Sequence, residues 1–224
     1  MCGRISIALN KDDLIQVLRK QYDIDDYNLD YNLPRYNVGP KSNLISLIND
    51  GKRNRVGLLN WGFIPTWAKD NKFYTINAKA ETLHKKPLFK EAYLKRRCII
   101  LVDGFYEWKK ANNEKIPFRF TVKNEPLFAL AGLWNPYLTS DGKKHYTCTI
   151  ITTSPNELIK PIHNRMPVIL TKESETLWLN PKITDYETLS ALLTPFKADN
   201  MDYYQVSQIV NNVRNDNSKC IQPI

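Results

Sequence analysis

Six short runs of β-branched and aromatic residues fill the middle of the chain and constrain its fold more than any other feature. The first two, at 43–48 and 53–61, flank Asp50-Gly51, a dipeptide typical of a tight hairpin turn. The others lie at 97–102, 117–122, 127–133 and 146–152, and turn residues bound them at Asn112-Asn113, Asn124 and Asp141-Gly142. The sequence therefore predicts a curved, mainly antiparallel sheet with a barrel-like core.

Short helices are predicted at the edges of this sheet. Residues 11–20 follow Asn10 as a cap and place apolar side chains on one face, and residues 87–94 show a similar pattern. Capping boxes at Ser154–Glu157 and Thr184–Glu187 each predict the start of another short helix. No repeat, low-complexity tract or linker divides the chain, so we predict a single α+β domain over residues 1–224.

The composition excludes several classes of protein. Of 224 residues, 42% are hydrophobic and 25% are charged, which is enough to bury a core and excludes disordered and fibrous chains. No apolar run reaches the roughly 18 residues of a membrane span, and the chain does not begin like a signal peptide. We therefore expect a soluble, cytoplasmic protein that does not bind membranes.

The cysteine and histidine spacing indicates neither a metal site nor a disulfide framework. Four cysteines are widely separated, without a C-x-x-C pair, and only three histidines accompany them. Free thiols are the expected state, with Cys98 and Cys148 in the core. We expect no metal and no cofactor.

The excess positive charge is confined to one segment. Residues 52–115 contain 15 Lys and Arg against 6 acidic residues, whereas the rest of the chain has 17 of each. Ten aromatic residues lie in the same segment. Interleaved basic and aromatic side chains suit a nucleic acid, because phosphates attract the former and unpaired bases stack on the latter. A solvated basic face over an aromatic core fits the composition equally well.

The start of the chain, Met1-Cys2-Gly3-Arg4, offers unusual chemistry. Removal of Met1 would leave an α-amine beside a thiol on Cys2, a combination that an internal cysteine lacks. An α-amine has a pKa of about 7.7 to 8.0, so much of it is an unprotonated nucleophile near neutral pH. A cysteine at a frayed terminus, without any function, is the simpler explanation when this feature is taken alone.

Three other segments carry polar groups that suit proton transfer. Asn77 lies in a run that resembles a strand leading into a helix, and Glu107 lies among aromatic residues that would raise its pKa. His163 stands two residues before Arg165. Each segment alone is weak evidence, since all of these residues also have ordinary structural roles.

Together with the amino terminus, these segments resemble the SRAP (SOS-response-associated peptidase) family, which includes a sensor of abasic sites in single-stranded DNA. The matching segments lie at 1–4, 35–37 with Pro40, 61–65 with Trp67, 77–82, 104–108 and 163–167, and Val206-Ser207 is compatible, so the resemblance covers essentially the whole chain. The resemblance implies a single domain of the SRAP fold.

The resemblance also implies a reaction and its residues. Cys2 would react with the aldehyde of a ring-opened abasic sugar, giving a Schiff base and then a thiazolidine crosslink that shields the lesion. Asn77 would orient the amino-terminal residue, Glu107 would act as acid and base, and His163 would assist ring opening.

DNA contacts are implied in the same way. Arg4, Lys79 and Arg165 would hold phosphates, while Pro40 and Trp67 would form an apolar wedge or stacking surface. Family members commonly carry arginine at the position of Lys79, and lysine lacks the bidentate geometry of a guanidinium. The expected partner is single-stranded DNA with abasic sites, bound by a monomer that joins the nucleoid when DNA is damaged.

Two other functions remain open on the sequence. A cysteine with histidine and glutamate nearby could act as an amino-terminal nucleophile in a peptidase, at least in removing Met1. Alternatively, the basic and aromatic segment could belong to a non-catalytic module that binds single strands, in which Cys2 has no function.

Overall fold

The computed structural model describes residues 2–25, 29–68, 73–111, 114–139 and 142–224. Met1, Asn112-Asn113 and Asp141, on which sequence predictions fell, lie outside these residues. Within the described ranges the strands are β1 (Ile5–Ile7), β2 (Arg35–Val38), β3 (Asn43–Asn49), β4 (Asn54–Trp61), β5 (Asn77–Lys79), β6 (Arg97–Val102), β7 (Gly104–Ala111), β8 (Glu114–Val122), β9 (Phe128–Leu138), β10 (Lys144–Thr153), β11 (Met166–Pro167), β12 (Ile169–Leu170) and β13 (Met201–Gln205). The helices are α1 (Lys11–Tyr22), α2 (Pro87–Lys95), α3 (Lys172–Leu179) and α4 (Tyr186–Ala191).

Five strands close into a small barrel. Their hydrogen-bonded order is β10-β4-β3-β6-β9, and β9 pairs again with β10 to complete the ring. The pairings are antiparallel except that β10 runs parallel to β4. Outside the ring, β5 and β11 pair with β10, and β12 pairs with β9.

Both faces of β6, and of most of β9 and β10, are buried. On β6, Cys98 and Ile100 pack into one core cluster, while Ile99 and Leu101, which point the opposite way, pack into another. The second cluster also contains apolar residues of all four helices. Strands covered on both faces explain why these segments appear in the sequence as continuous apolar runs.

A second, antiparallel sheet brings the amino terminus to the barrel. Its strand order is β13-β8-β7-β1-β2, so β1 is flanked by β7 and β2. Ile5 on β1 lies opposite Phe105 on β7, and both pack with Cys98 and Ile100 of the barrel. Residues just before β1 therefore lie where the two sheets meet.

The helices begin at polar caps. Asn10 accepts a hydrogen bond from the backbone N–H of Asp13 at the start of α1, and Thr171 and Asp185 cap α3 and α4 in the same way. Pro87 is the first residue of α2, a position where its missing N–H costs nothing. No helix in the described ranges is long and apolar enough to cross a membrane.

The predicted fold class is confirmed, as are the six strands, although β8, β9 and β10 begin or end beyond the predicted bounds. The helix predicted from Ser154–Glu157 is wrong, because this segment forms only turns. Asn156 does cap the N–H of Ile159, but Pro161 has no N–H to donate to the carbonyl of Glu157, so the single turns closed by Lys160 and His163 do not join into a helix. The other capping box is shifted by one residue, since α4 is capped by Asp185.

Candidate active site at the amino terminus

Cys2 is held from the neighbouring sheet by Asn77. The side-chain Nδ2 of Asn77 donates a hydrogen bond of 2.8 Å to the backbone carbonyl of Cys2, which is fully buried. Asn77 is the first residue of β5 and is paired with Ile150 in the middle of β10, so its position is fixed by the barrel. The Oδ1 atom of Asn77 is buried and has no hydrogen-bond partner in the described part of the chain. One end of the amide thus fixes Cys2.

Glu107 supplies a carboxyl group whose pKa suits proton transfer at neutral pH. It lies on β7 opposite Phe118 and is only 2% exposed. Burial disfavours the charged form and raises its pKa from 4.5 to about 7. Glu107 therefore populates both its protonated and its ionised form near pH 7, as a general acid and base must.

His163 lies beside Glu107 at the end of the segment that follows β10. Its Nδ1 is 3.7 Å from Oε1 of Glu107, too far for a direct hydrogen bond. Nδ1 lies 3.1 Å from both the backbone nitrogen and the carbonyl oxygen of Arg165, so it accepts from the N–H in one neutral tautomer and donates to the carbonyl in the other. When Nδ1 accepts, the proton of the neutral ring is on Nε2. Burial lowers the pKa of His163, and the nearby charges of Lys110 and Arg165 add to this effect. Burial thus favours the neutral forms of His163 and Glu107 over an ion pair.

The thiol of Cys2 is kept protonated by its surroundings. Burial raises its pKa well above 9, and the negative charge of Glu107 raises it further. The thiolate is therefore scarce at neutral pH. All four cysteines, including Cys98 and Cys148 in the core, are free and buried.

Lys79 and Arg165 flank the cluster, with an acidic residue between them. Arg165 donates from Nη1 and Nη2 to the two carboxylate oxygens of Glu81, at 2.7 and 3.0 Å, and from Nη2 to the Thr152 carbonyl at 2.6 Å. The hydrogen bond from Arg165 lowers the pKa of Glu81, and the positive charge of Lys79 contributes. Lys79 is exposed at the end of β5, opposite Thr152. Both cations thus interact with Glu81.

Arg4 is bound to the protein itself. Its Nη1 donates to Oδ1 of Asn37 and, at 2.6 Å, to the backbone carbonyl of Val210. Its guanidinium carbon also lies 5.7 Å from the ring centroid of Trp108. Arg4 therefore links the amino-terminal strand to the C-terminal segment, a contact that the sequence analysis did not foresee.

The two apolar residues predicted to contact bases are exposed. Pro40 lies in the loop between β2 and β3. Trp67 follows β4, has 66% of its surface exposed, and its ring centroid is 5.7 Å from that of Phe73, which is also exposed. Exposed aromatic rings in contact provide a surface on which unpaired bases can stack.

The structure therefore brings Cys2, Asn77, Glu107 and His163 together, with cations beside them. The chain matches the family profile described as SOS response associated peptidase (SRAP) over residues 1–213. The protein belongs to the SRAP family.

Proteins with similar sequences are named for one activity. The chain is 49% identical to the abasic site processing protein YoqW of Bacillus subtilis, over 99% of both chains. It is 31% identical to the abasic site processing protein HMCES of Xenopus tropicalis, over the whole of this chain and 78% of that one. A crystal structure of a Bacteroides thetaiotaomicron protein superposes on the whole chain with a TM-score of 0.87 at 30% identity.

Three residues around this SRAP site escaped the sequence analysis as functional candidates. Asn37 fixes Arg4, Glu81 pairs with Arg165, and Lys41 lines a neighbouring cleft. Asn37 and Glu81 both lie in segments that match the family, at 35–37 and 77–82, and this match is the signal that the sequence offered for them.

Proposed function

We propose that this protein recognises abasic sites in single-stranded DNA and attaches to them covalently through Cys2. The observation that carries the proposal is the buried cluster in which Asn77 holds the backbone of Cys2 beside Glu107, whose pKa is about 7. The relatives named abasic site processing proteins support the same function.

The reaction begins after the bond between Met1 and Cys2 is cut, which leaves a free amine on Cys2. This amine adds to the aldehyde carbon of the ring-opened sugar, and loss of water gives a carbon–nitrogen double bond. The sulfur of Cys2 then adds to the same carbon of the protonated imine; the nitrogen keeps the hydrogen that it already carries, and the thiol proton returns to the carboxylate that protonated the departing hydroxyl. The product is a five-membered thiazolidine that joins protein and DNA.

Each neighbouring side chain has a role in these steps. Glu107 donates a proton to the departing hydroxyl and, once ionised, accepts the proton of the Cys2 thiol. Neutral His163 donates from Nε2 to the sugar oxygen during ring opening. Asn77 keeps the amine and the thiol on the same side of the aldehyde. The buried thiol needs this help, because it does not ionise at neutral pH.

The surrounding residues suit a single strand. Lys79 and Arg165 neutralise phosphates next to the lesion, and Pro40 with Trp67 provides an apolar surface for unstacked bases. Arg4 contacts a phosphate through the part of its guanidinium that does not bind Asn37 and Val210. We expect a monomer to bind the strand, and the protein to collect at the nucleoid when DNA is damaged.

General proteolysis fits the site less well than crosslinking. A cysteine peptidase needs a reactive thiolate, whereas burial and Glu107 both raise the pKa of the Cys2 thiol. Hydrolysis of the single bond after Met1, assisted by Glu107, remains part of the proposal, because this bond must be cut before the amine can react.

The test combines an abasic single-stranded oligonucleotide with the wild type and with Cys2→Ala, followed by a denaturing gel. We expect a stable crosslink only with the wild type, because alanine keeps the amine but cannot close the ring. Borohydride reduction should trap a Schiff base in Cys2→Ala. Intact-mass measurement shows whether Met1 has been removed from each preparation.

Two outcomes would contradict the mechanism. One is a stable crosslink at wild-type yield from Cys2→Ala. The other is full crosslinking by a protein whose mass still includes Met1, because an amide nitrogen cannot form an imine. A bound strand that salt releases completely, without a crosslink, would instead indicate a non-catalytic binding module.

A further inference from the structure

A cleft of about 550 Å³ lies outside the cluster at Cys2. Lys41, Asn60, Gly62, Tyr74, His145 and Thr147 line it. Thr147 precedes Ile150 by three residues on β10, and Ile150 is the partner of Asn77. At about 3.3 Å per residue, Thr147 in the cleft lies roughly 10 Å along β10 from Ile150, the partner of Asn77. This distance corresponds to about three stacked nucleotides.

Lys41 has a backbone conformation that lysine rarely adopts. Its φ is +68°, in the left-handed region, where asparagine, aspartate and glycine are the usual residues. The conformation is held from both sides: the N–H of Lys41 donates to the Trp61 carbonyl at 2.8 Å, and its own carbonyl accepts from Nδ2 of Asn60 at 2.9 Å. A residue that is held in an unfavourable conformation points to a functional need for its side chain.

The side chain of Lys41 lies against an aromatic ring in the cleft. Its Nζ is 4.9 Å from the ring centroid of Tyr74, which is 38% exposed. Gly62 makes room for this ring, because a Cβ at Gly62 would come within 3.1 Å of Cδ2 of Tyr74. A cation and a half-exposed aromatic ring are thus fixed side by side.

The remaining lining residues suit a ligand that is both anionic and aromatic. Among the described residues that line the cleft, none is acidic. Asn60 and His145 add groups that hydrogen-bond to bases or phosphates. A phosphate matches Lys41, and a base matches the face of Tyr74.

We propose that this cleft binds one nucleotide unit of the DNA strand, with its phosphate at Lys41 and its base on Tyr74. The ammonium group leaves the ring for the phosphate, and the base takes its place on the ring. The proposal rests on the proposed function for its choice of ligand: a DNA strand with its abasic site at Cys2 has neighbouring nucleotides within reach of a cleft that begins three residues along β10 from the partner of Asn77. A free mononucleotide has the same chemistry and is distinguished by the test below.

The decisive variant is Lys41→Gly, because glycine adopts the left-handed conformation without strain while the ammonium group is lost. Binding to an undamaged single-stranded oligonucleotide is measured against salt concentration, so that the result does not depend on Cys2 chemistry. We expect weaker binding and a slope of log K against log salt that is smaller by about 0.7, the value for one phosphate contact. The melting temperature should stay equal or rise. Lys41→Asn, which also tolerates this conformation, provides a second variant.

Tyr74→Leu tests the base contact. It should weaken binding by about 5- to 100-fold, as expected for one lost stacking contact, without changing the salt slope. Asn124→Gly is the control for backbone strain, because Asn124 has a φ of +60° in the turn after β8. Lys20→Ala on α1 is the control for loss of one exposed lysine. Both controls should bind like the wild type.

The outcomes separate this proposal from the proposed function. Unchanged affinity and slope in Lys41→Gly and Lys41→Asn would overturn the cleft proposal, whether or not the wild type forms a crosslink. If deoxyadenosine monophosphate bound the wild type but not Lys41→Gly while strand binding was unchanged, the cleft would take free nucleotides, and the proposed strand contact would be wrong. Absence of any crosslink by the wild type would contradict the proposed function and leave the measurement on undamaged strands valid.

Discussion

The proposed chemistry depends on the carboxyl group of Glu107 more than on any other side chain around Cys2. Glu107→Gln keeps its shape but removes the proton that is exchanged. We expect crosslinking to slow by roughly 10² to 10⁴, the usual contribution of general acid-base catalysis, while affinity for undamaged strands stays unchanged. Quenched time courses on denaturing gels measure the rate.

A matched control for this variant exists on α3. Glu175 is also a buried glutamate, 4% exposed, and its pKa is also raised by burial. Glu175→Gln should leave the rate of crosslinking unchanged. A Glu107→Gln rate within twofold of the wild type would show that Glu107 takes no part in the reaction.

The ion pair of Arg165 and Glu81 leads to a variant that should bind DNA more tightly than the wild type. Glu81 occupies the guanidinium that is expected to hold a phosphate, and its side chain is half exposed. Glu81→Gln removes this competing charge, so affinity for single-stranded DNA should rise by about two- to fivefold, in keeping with the modest energy of exposed ion pairs.

Glu91→Gln is the matched control, because Glu91 pairs with Arg96 in a similarly exposed position on α2. Fluorescence anisotropy at fixed ionic strength measures both variants. Equal affinities for Glu81→Gln, Glu91→Gln and the wild type would place Arg165 away from the DNA.

Among the secondary-structure elements, β2 joins the two ends of the chain. Asn37 on β2 accepts from Arg4 and donates from Nδ2 to the carbonyls of Val210, Asn212 and Asn215, at 3.2, 3.1 and 2.7 Å. Asp216 accepts from the N–H groups of Tyr36 and Asn37. The segment after β13 is thus attached to the strand that lies beside β1.

We predict that Asn37→Ala lowers the free energy of unfolding by about 1–3 kcal/mol, because it leaves buried carbonyl groups without donors. It should also slow crosslinking at saturating DNA, since Arg4 loses an anchor two residues from Cys2. Asn37→Asp keeps an acceptor for Arg4 but loses the donors to the C-terminal segment. It should therefore lose stability and retain more of the crosslinking rate than Asn37→Ala. Equal rates for both variants would contradict the role of Arg4 in positioning Cys2.

Elements with a clear local pattern could be predicted from the sequence. The apolar runs of β3, β4, β6 and β10 and the capped helix α1 were found because burial and capping depend on neighbouring residues. The turns at Ser154–Glu157 were mistaken for a helix, because Pro161 outweighs a good cap. The short strands β1 and β2 were not identified, since their pairing is decided by distant parts of the chain.

In the candidate site, too, the contacts between residues far apart in the sequence could not be predicted. Resemblance to a family located the residues that gather at Cys2, but it could not show that Glu81 occupies Arg165 or that Val210 holds Arg4. These contacts join residues 84 and 206 positions apart, and no periodicity in the sequence encodes them.

At the scale of the whole molecule, the buried Glu107 makes stability depend on pH. Its pKa is about 7 in the folded chain and near 4.5 when exposed, so between these values the folded state binds more protons than the unfolded state. The free energy of unfolding therefore falls as pH rises through this range. Each pKa unit corresponds to about 1.4 kcal/mol, which gives roughly 3 kcal/mol in total for Glu107.

Urea denaturation of the wild type and Glu107→Gln at pH 5 and pH 8 measures this effect. We expect the free energy of unfolding of Glu107→Gln, relative to that of the wild type, to increase by about 2–3 kcal/mol between pH 5 and pH 8. A difference that does not depend on pH would mean that the carboxyl group titrates at its ordinary value in the folded protein.

The hydrogen bond from Arg4 to the carbonyl of Val210 also bears on the order of events during protein synthesis. A ribosome makes residue 4 long before residue 210, so the amino-terminal strand cannot be fully anchored until Val210 has emerged. In the proposed function, the amine of Cys2 therefore gains its complete framework only after residue 210 has been made. Translation products that stop before residue 210 would carry the same first residues, but they would lack the anchor that Val210 provides for Arg4.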